Sequence, residues 1–234
     1  MPPKGRTLFE ILTGRNKRDM TPLELQYHNP LGAKVGNTIS FDHQPDIGGI
    51  NFYVERISVY ETRVVGKKFY HTDYHLKGLS LGMEKPLRFR LRLIADSDSV
   101  NPLGCNIQLL SLYDEMEWDE GFHSVVNDPS GEFHVNHDDF GEELEVARTY
   151  WRIEGVVDPY HAKTTILKDD DGDGSVSDDE LERINVVYWD FHRDTEDHND
   201  QKITEFLTIE MNEKTKFFTF LRGTEVDASQ ITVI

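Results

Sequence analysis

Residues 87–93 read Leu-Arg-Phe-Arg-Leu-Arg-Leu. In an extended chain successive side chains point to opposite faces. Leu87, Phe89, Leu91 and Leu93 therefore share one side, and Arg88, Arg90 and Arg92 the other. The period of two predicts a β-strand with one apolar and one cationic face. A ladder of arginines can hold an anion or a phosphate. In a chain as acidic as this one, pairing with Asp or Glu on neighbouring strands is the expectation.

The same period extends outward on both sides. Asn51–Val65 (NFYVERISVYETRVV) is long, aromatic and β-branched, Gly66-Lys67 offers a turn, and Phe69–Leu76 returns as the hairpin partner. Ile107–Tyr113, Glu145–Val156 and Ala162–Leu167 also read as strands. Val186–His192, Ile203–Met211 and Lys216–Arg222 are separated by polar turns near residues 197–200 and 212–214, which predicts an antiparallel meander. Within Ile203–Met211 only Glu205 breaks the alternation. Between Asp114 and Glu145 lie twelve acids and no Lys or Arg, interrupted by Asp128-Pro129-Ser130-Gly131. That stretch reads as a linker, a long loop or a domain boundary.

The expected fold is mainly β: antiparallel sheets forming a sandwich or a barrel-like body. A basic N-terminal arm (1–21) precedes it, with Leu8, Phe9, Ile11 and Leu12 able to form a short helical segment. The remainder divides into β-rich lobes at 22–128 and 129–234, with one domain over 22–234 as the alternative.

Composition bounds the function. The 234 residues include 43 acids against 25 Lys and Arg, a formal net charge of −18. That charge argues against general nucleic-acid binding, which needs a basic footprint, and against docking on anionic lipid. The single cysteine, Cys105, leaves no intramolecular disulfide and no CxxC site. The apolar cluster near the N-terminus is too broken for a signal-peptide core, and no span reaches membrane length, so a cytoplasmic address is expected.

Residues 169–180, DDDGDGSVSDDE, place oxygen ligands at the spacing one Ca²⁺ ion requires. Acids stand at loop positions 1, 3 and 5 (Asp169, Asp171, Asp173), and Gly174 at 6 permits the sharp turn. Ser175 offers its backbone carbonyl at 7, Ser177 ligates through water at 9, and Glu180 closes the shell with two oxygens at 12. Val176 provides the apolar anchor. These twelve residues resemble the EF-hand calcium loop, and the resemblance implies Ca²⁺ as the bound ion.

The flanks differ from that family. Lys163–Leu167 is β-branched and follows Pro159 closely, which predicts a strand where an EF-hand has a helix. On the exit side, one or two helical turns over Ser177–Arg183 are expected before a strand. Sensor hands work in pairs, and the best second candidate, Asp194–Glu205, lacks the required residues. The expectation is a non-catalytic calcium-binding protein in which the ion orders an acidic loop inserted between strands. Alternatives are an interaction or scaffold module with an incidental metal site, and a hydrolase using paired carboxylates. The protein partner is left open.

Other constellations are weaker. His134 and His137 point to opposite faces of a strand, and His71 and His75 lie roughly 13 Å apart along one, too far for one ion. Trp118, Trp151 and Trp189 are expected in packing. The Gly36–Leu76 stretch is similar to small bacterial β domains of unknown function, which implies a β fold and no activity. None of the GxSxG, HExxH, GxxxxGK(S/T) or GxGxxG motifs occurs.

Overall fold

The structure, a computed structural model, describes residues 28–42, 47–64, 67–78, 86–95, 105–136, 147–153, 158–168, 181–196 and 200–234. The basic arm 1–21 and the acidic loop 169–180 lie outside the described residues.

Twelve strands form one antiparallel sheet. In chain order they are β1 (Thr38–Phe41), β2 (Asn51–Val64), β3 (Lys67–Gly78), β4 (Leu87–Ala95), β5 (Cys105–Glu117), β6 (Glu132–Val135), β7 (Arg148–Arg152), β8 (Tyr160–Leu167), β9 (Leu181–Glu196), β10 (Lys202–Asn212), β11 (Phe217–Glu225) and β12 (Ile231–Val233). One helix, α1 (Glu120–Val126), stands between β5 and β6. Eight strands close a barrel in the order β2-β3-β4-β5-β11-β10-β9-β8, with β8 returning to β2. Closure pairs each of these eight strands on both sides, which an open sheet cannot do at its ends. β1 and β12 extend the sheet from β2, and β7 and β6 extend it from β9. Strands from before and after residue 128 share this sheet, since β2 pairs with β8 and β5 with β11.

The expected alternation decides which side chains meet, and the apolar faces point outward. Phe52, Val54, Tyr74, Leu76, Leu91, Leu93 and Ile107 pack beneath an outer cover made by Ala33, Val35, Ile39, Phe41 and Ile47, with Ile231 and Val233 against it. Tyr74 pins this cover: its hydroxyl donates to Asn29 Oδ1 and accepts the Leu31 amide at 3.2 Å. On the opposite wall, Val187, Trp189, Phe191, Leu207, Ile209, Met211, Phe218 and Phe220 lie beneath Val126, Phe133, Val135 and Tyr150. Each such side chain taken from water contributes about 1.5–3 kcal/mol. The two covers therefore let the barrel turn its apolar surface outward.

The hairpin over β2 and β3, the strand over β4 and the β9-β10-β11 meander match the period-two reading. Two segments differ from it. The stretch after Asp114 is not a bare linker: β5 runs on to Glu117, and α1 and β6 follow. Asp119 caps α1, its Oδ1 accepting the Phe122 amide at 2.6 Å. Phe122 and Val126, one turn apart, meet the second outer core, where Phe122 sits edge-on to Phe218 and Phe220. Short helices of this kind hold by tertiary packing, which an acid-rich sequence conceals.

The second difference is the exit from the acidic loop. Leu181–Arg183 are extended, not helical, with Leu181 opposite Leu167, Glu182 opposite Ile166 and Arg183 opposite Thr165. Pairing with β-branched β8 overrides the local helical stripe. Among the described residues no helix is long and apolar enough to cross a membrane.

Candidate functional site

Inside the barrel the alternation places charge. Asp73 and Arg92 are cross-strand neighbours on β3 and β4. Arg92 Nε donates to Asp73 Oδ1 at 2.9 Å and its Nη2 to Oδ2 at 3.0 Å, a bidentate pair. The same guanidinium crosses the lumen to β9 and β10, donating from Nη2 to Glu210 Oε1 at 2.8 Å and from Nη1 to Thr208 Oγ1 at 3.0 Å and Asp190 Oδ1 at 3.3 Å. Thr208 in turn donates to Asp190 at 2.7 Å. Arg90, two residues along β4, donates to Glu210 Oε2, which also accepts from Tyr60 at 3.4 Å. Arg92 is 1 % exposed and Asp73 not at all, so the network spans a desolvated interior.

Burial sets the protonation of these groups. It would lower both arginines, yet the surrounding carboxylates outweigh it and hold Arg90 and Arg92 above their ordinary range. Burial raises Asp190 in spite of Arg92. Tyr60 is raised by burial and then by Glu210. His71 and His75, inward-facing on β3, are both lowered well below 6.5, first by burial and then by the neighbouring arginines. His71 stacks on Tyr60 with ring centroids 4.2 Å apart, and His75 Nε2 lies 2.9 Å from Ser58 Oγ. They are neutral packing partners of the network.

At one end the barrel opens. A recess of about 320 Å³ is lined by Glu55, Arg56, His75, Arg88, Arg90, Leu112, Glu115, Lys168, Thr219 and Leu221 among others. It adjoins a smaller cavity of about 180 Å³ inside the lumen, and the two share Arg56, His75, Arg90 and Thr219. Two irregularities in strand register shape this end. Between Val54 and Arg56 the pairing with β3 skips Glu55. Phe52 and Val54 consequently face the outer core, whereas Arg56, Ser58 and Tyr60 face inward. A second shift in β5 at Tyr113 leaves Leu112 opposite Leu221 and sets Glu115 opposite Thr219. Bulges re-aim side chains in this way at the rims of barrels.

The residues predicted to hold calcium, Asp169, Asp171, Asp173, Ser175, Ser177 and Glu180, lie outside the described residues. Their flanks are described: β8 ends at Leu167, β9 begins at Leu181, and those two residues are paired. Lys168 and Glu182 are joined across the base of this hairpin at 2.6 Å. Lys168 lines the recess and Glu182 the inner cavity. Among the described residues no group of three or more His, Cys, Asp or Glu is placed to hold a metal. His134 is exposed beside Thr149 and Glu132, and His137 lies outside the described residues. Trp189 is fully buried, while Trp118 and Trp151 remain 40 % and 48 % exposed.

The arginine ladder pairs with carboxylates as expected, but the partners on β9 and β10 stand 98 to 120 residues further along the chain, a separation that no local pattern reports. Arg92 stands between Leu91 and Leu93, Asp190 between Trp189 and Phe191, and Glu210 between Ile209 and Met211. A charge flanked by apolar residues reads the same on a solvated face as on an enclosed one, so no local signal marked these partners. Comparison of the chain with protein-family models, curated proteins and solved structures returns no match.

Proposed function

We propose that this protein binds one calcium ion through residues 169–180, and that the ion orders an acidic connection of the barrel without taking part in catalysis. The observation that carries the reading is the spacing of Asp169, Asp171, Asp173, Gly174 and Glu180. Seven acids within twelve residues repel one another, and a hard divalent cation taking six to eight oxygens relieves that repulsion. The strand pairing on both sides supports a structural ion. An EF-hand sensor acts by changing the angle between two helices, whereas here Leu167 and Leu181 belong to one β-ladder.

The test is calorimetric titration of metal-stripped protein with Ca²⁺ and, separately, Mg²⁺. One saturable Ca²⁺ site, weaker for Mg²⁺, is expected. Glu180→Gln, which removes the bidentate ligand, lowers the Ca²⁺ affinity. Equal heat and affinity for wild type and Glu180→Gln would overturn the assignment.

A further inference from the structure

The open end of the barrel has a charge balance unlike that of the chain. Four cations, Arg56, Arg88, Arg90 and Lys168, line the recess against two acids, Glu55 and Glu115, in a protein of net charge −18. Several of these charges are already committed. Glu55 pairs with Lys77 at 3.2 Å, Lys168 with Glu182, and Arg90 with Glu210. Arg56 is different: among the described residues its guanidinium has no hydrogen bond and no ion pair. It is partly buried, and its pKa is lowered by that burial and by the nearby charge of Arg90. Glu55, Glu210 and Glu182 act on it through space, but none of them takes its hydrogen bonds, so its donors stay available to a ligand.

The backbone aims this residue deliberately. The bulge at Glu55 turns Arg56 away from the outer core and into the cavity. Opposite it, the bulge at Tyr113 exposes Leu112 at 41 % beside its cross-strand partner Leu221. Thr219, a hydroxyl on the same wall, borders both the recess and the inner cavity. A recess of about 320 Å³ falls within the size range of small-molecule sites, which combine an apolar wall with a few fixed polar groups. Guanidinium groups recognise carboxylate and phosphate through paired hydrogen bonds.

We infer that the open end of the barrel binds a small organic anion, its carboxylate or phosphate head on Arg56 within the field of Arg88 and Arg90, and its apolar body against Leu112 and Leu221. The site does not depend on the calcium reading, because none of its residues belongs to the acidic loop. The committed partners explain why Arg56 is the anchor: Arg90 serves the Glu210 network and adds field, whereas Arg56 has its full donor set to offer. The apolar wall sets the preference for an organic anion over a bare inorganic one.

The experiment is an NMR titration of the full chain, with labelled methyl and arginine groups, using octanoate and inorganic phosphate as probes. Octanoate is expected to give saturable shifts at the Leu112 and Leu221 methyls and at the Arg56 side chain, with an affinity about tenfold above that of phosphate. Arg56→Gln is expected to weaken octanoate by about tenfold, the size of one lost charge-assisted hydrogen bond. Arg88→Gln, at the exposed rim, should weaken it by only about threefold. The wild-type map of shifted residues decides the matter even if Arg56→Gln fails to fold. Absence of saturable shifts at Leu112, Leu221 and Arg56, phosphate binding as tightly as octanoate, or unchanged affinity in a folded Arg56→Gln would each overturn the proposal.

Discussion

Arg92 and Asp73 face each other across β4 and β3, joined by two hydrogen bonds of 2.9 and 3.0 Å in an interior closed to water. From this pair the network reaches across the lumen to Asp190, Thr208 and Glu210 and ties opposite walls of the barrel together. Charges in such a place hold only while each has its partner, since a lone buried ion is far costlier than a buried pair.

Asp73→Asn removes the charge that Arg92 needs most and should destabilise the fold by about 3–5 kcal/mol. Urea unfolding followed by Trp189 fluorescence measures it. The double variant Asp73→Asn with Arg92→Met should lose clearly less than the two single losses added together, because neither member of the pair is then left facing a missing partner, although Asp190 still loses its Arg92 donor. Strict additivity would show that the two groups do not act as a unit.

His71 and His75 give the barrel an acid-sensitive element. Their folded pKa values lie well below the ordinary 6.5 because burial and the adjacent arginines oppose the charged form. At pH values between the folded and unfolded pKa, the unfolded chain binds protons that the native state does not. The contribution of the neutral imidazoles is complete above pH 6.5 and is lost as the pH falls from there toward the folded value. Each histidine adds a slope of up to about 1.4 kcal/mol per pH unit in that window. Stability curves between pH 7 and 5 should flatten by one proton's worth in His75→Gln, and an unchanged slope would contradict the assignment.

Removing calcium should lower the melting temperature. An ion bound only by the native state stabilises it by about 2.7 kcal/mol when free Ca²⁺ stands at a hundred times the dissociation constant. Scanning calorimetry with and without a chelator reads the shift, and Glu180→Gln should shrink it. A chelator with no effect on either protein would leave the acidic loop without its ion.

Part of the cover over the second outer core, Phe122 and Val126, is carried by α1, which Asp119 caps. Asp119→Ala deprives the Phe122 amide of its acceptor and should cost about 1 kcal/mol. Hydrogen exchange should then quicken at residues 120–126 and leave β4 unchanged. Equal exchange at both sites would mean that the cap does not anchor the cover.

Gly223 on β11 is fixed by close approach. A Cβ there would lie 1.8 Å from the carbonyl oxygen of Leu109 on β5, so backbone would have to move. Gly223→Ala should destabilise by at least about 1–3 kcal/mol, the range for overpacking, and chemical denaturation measures it.

Much of the fold could be read from the chain because a strand's period is local. Leu87–Leu93 declares two faces whatever surrounds it, and the readings of Asn51–Val65, Ile203–Met211 and Lys216–Arg222 as strands overlap the observed β2, β10 and β11. The spacing from Asp169 to Glu180 is local too, since the proposed ligand positions depend only on the residues between them. Glu205, the misfit in its strand, shows where local reading stops. It accepts from Arg193 Nε at 2.7 Å and from the Tyr150 hydroxyl at 2.5 Å, and the second partner comes from β7, 55 residues earlier. Burial alone would raise this carboxyl; those two donors hold it below its usual range instead.

The amino-acid order settled that the strands exist, that they alternate, and where seven acids crowd. It did not settle which face lies within the barrel, because an alternating pattern reads the same from either side. That choice rests on residues far away in the chain: β1 and β12 on one flank, α1, β6 and β7 on the other, which cover the apolar faces and leave the charged ones inside. Only the closed sheet brings Arg92 to Asp190 and Glu210, and only the bulge at Glu55 turns Arg56 toward the open end. Contacts of that kind are set by ring closure and strand register, which no single segment encodes.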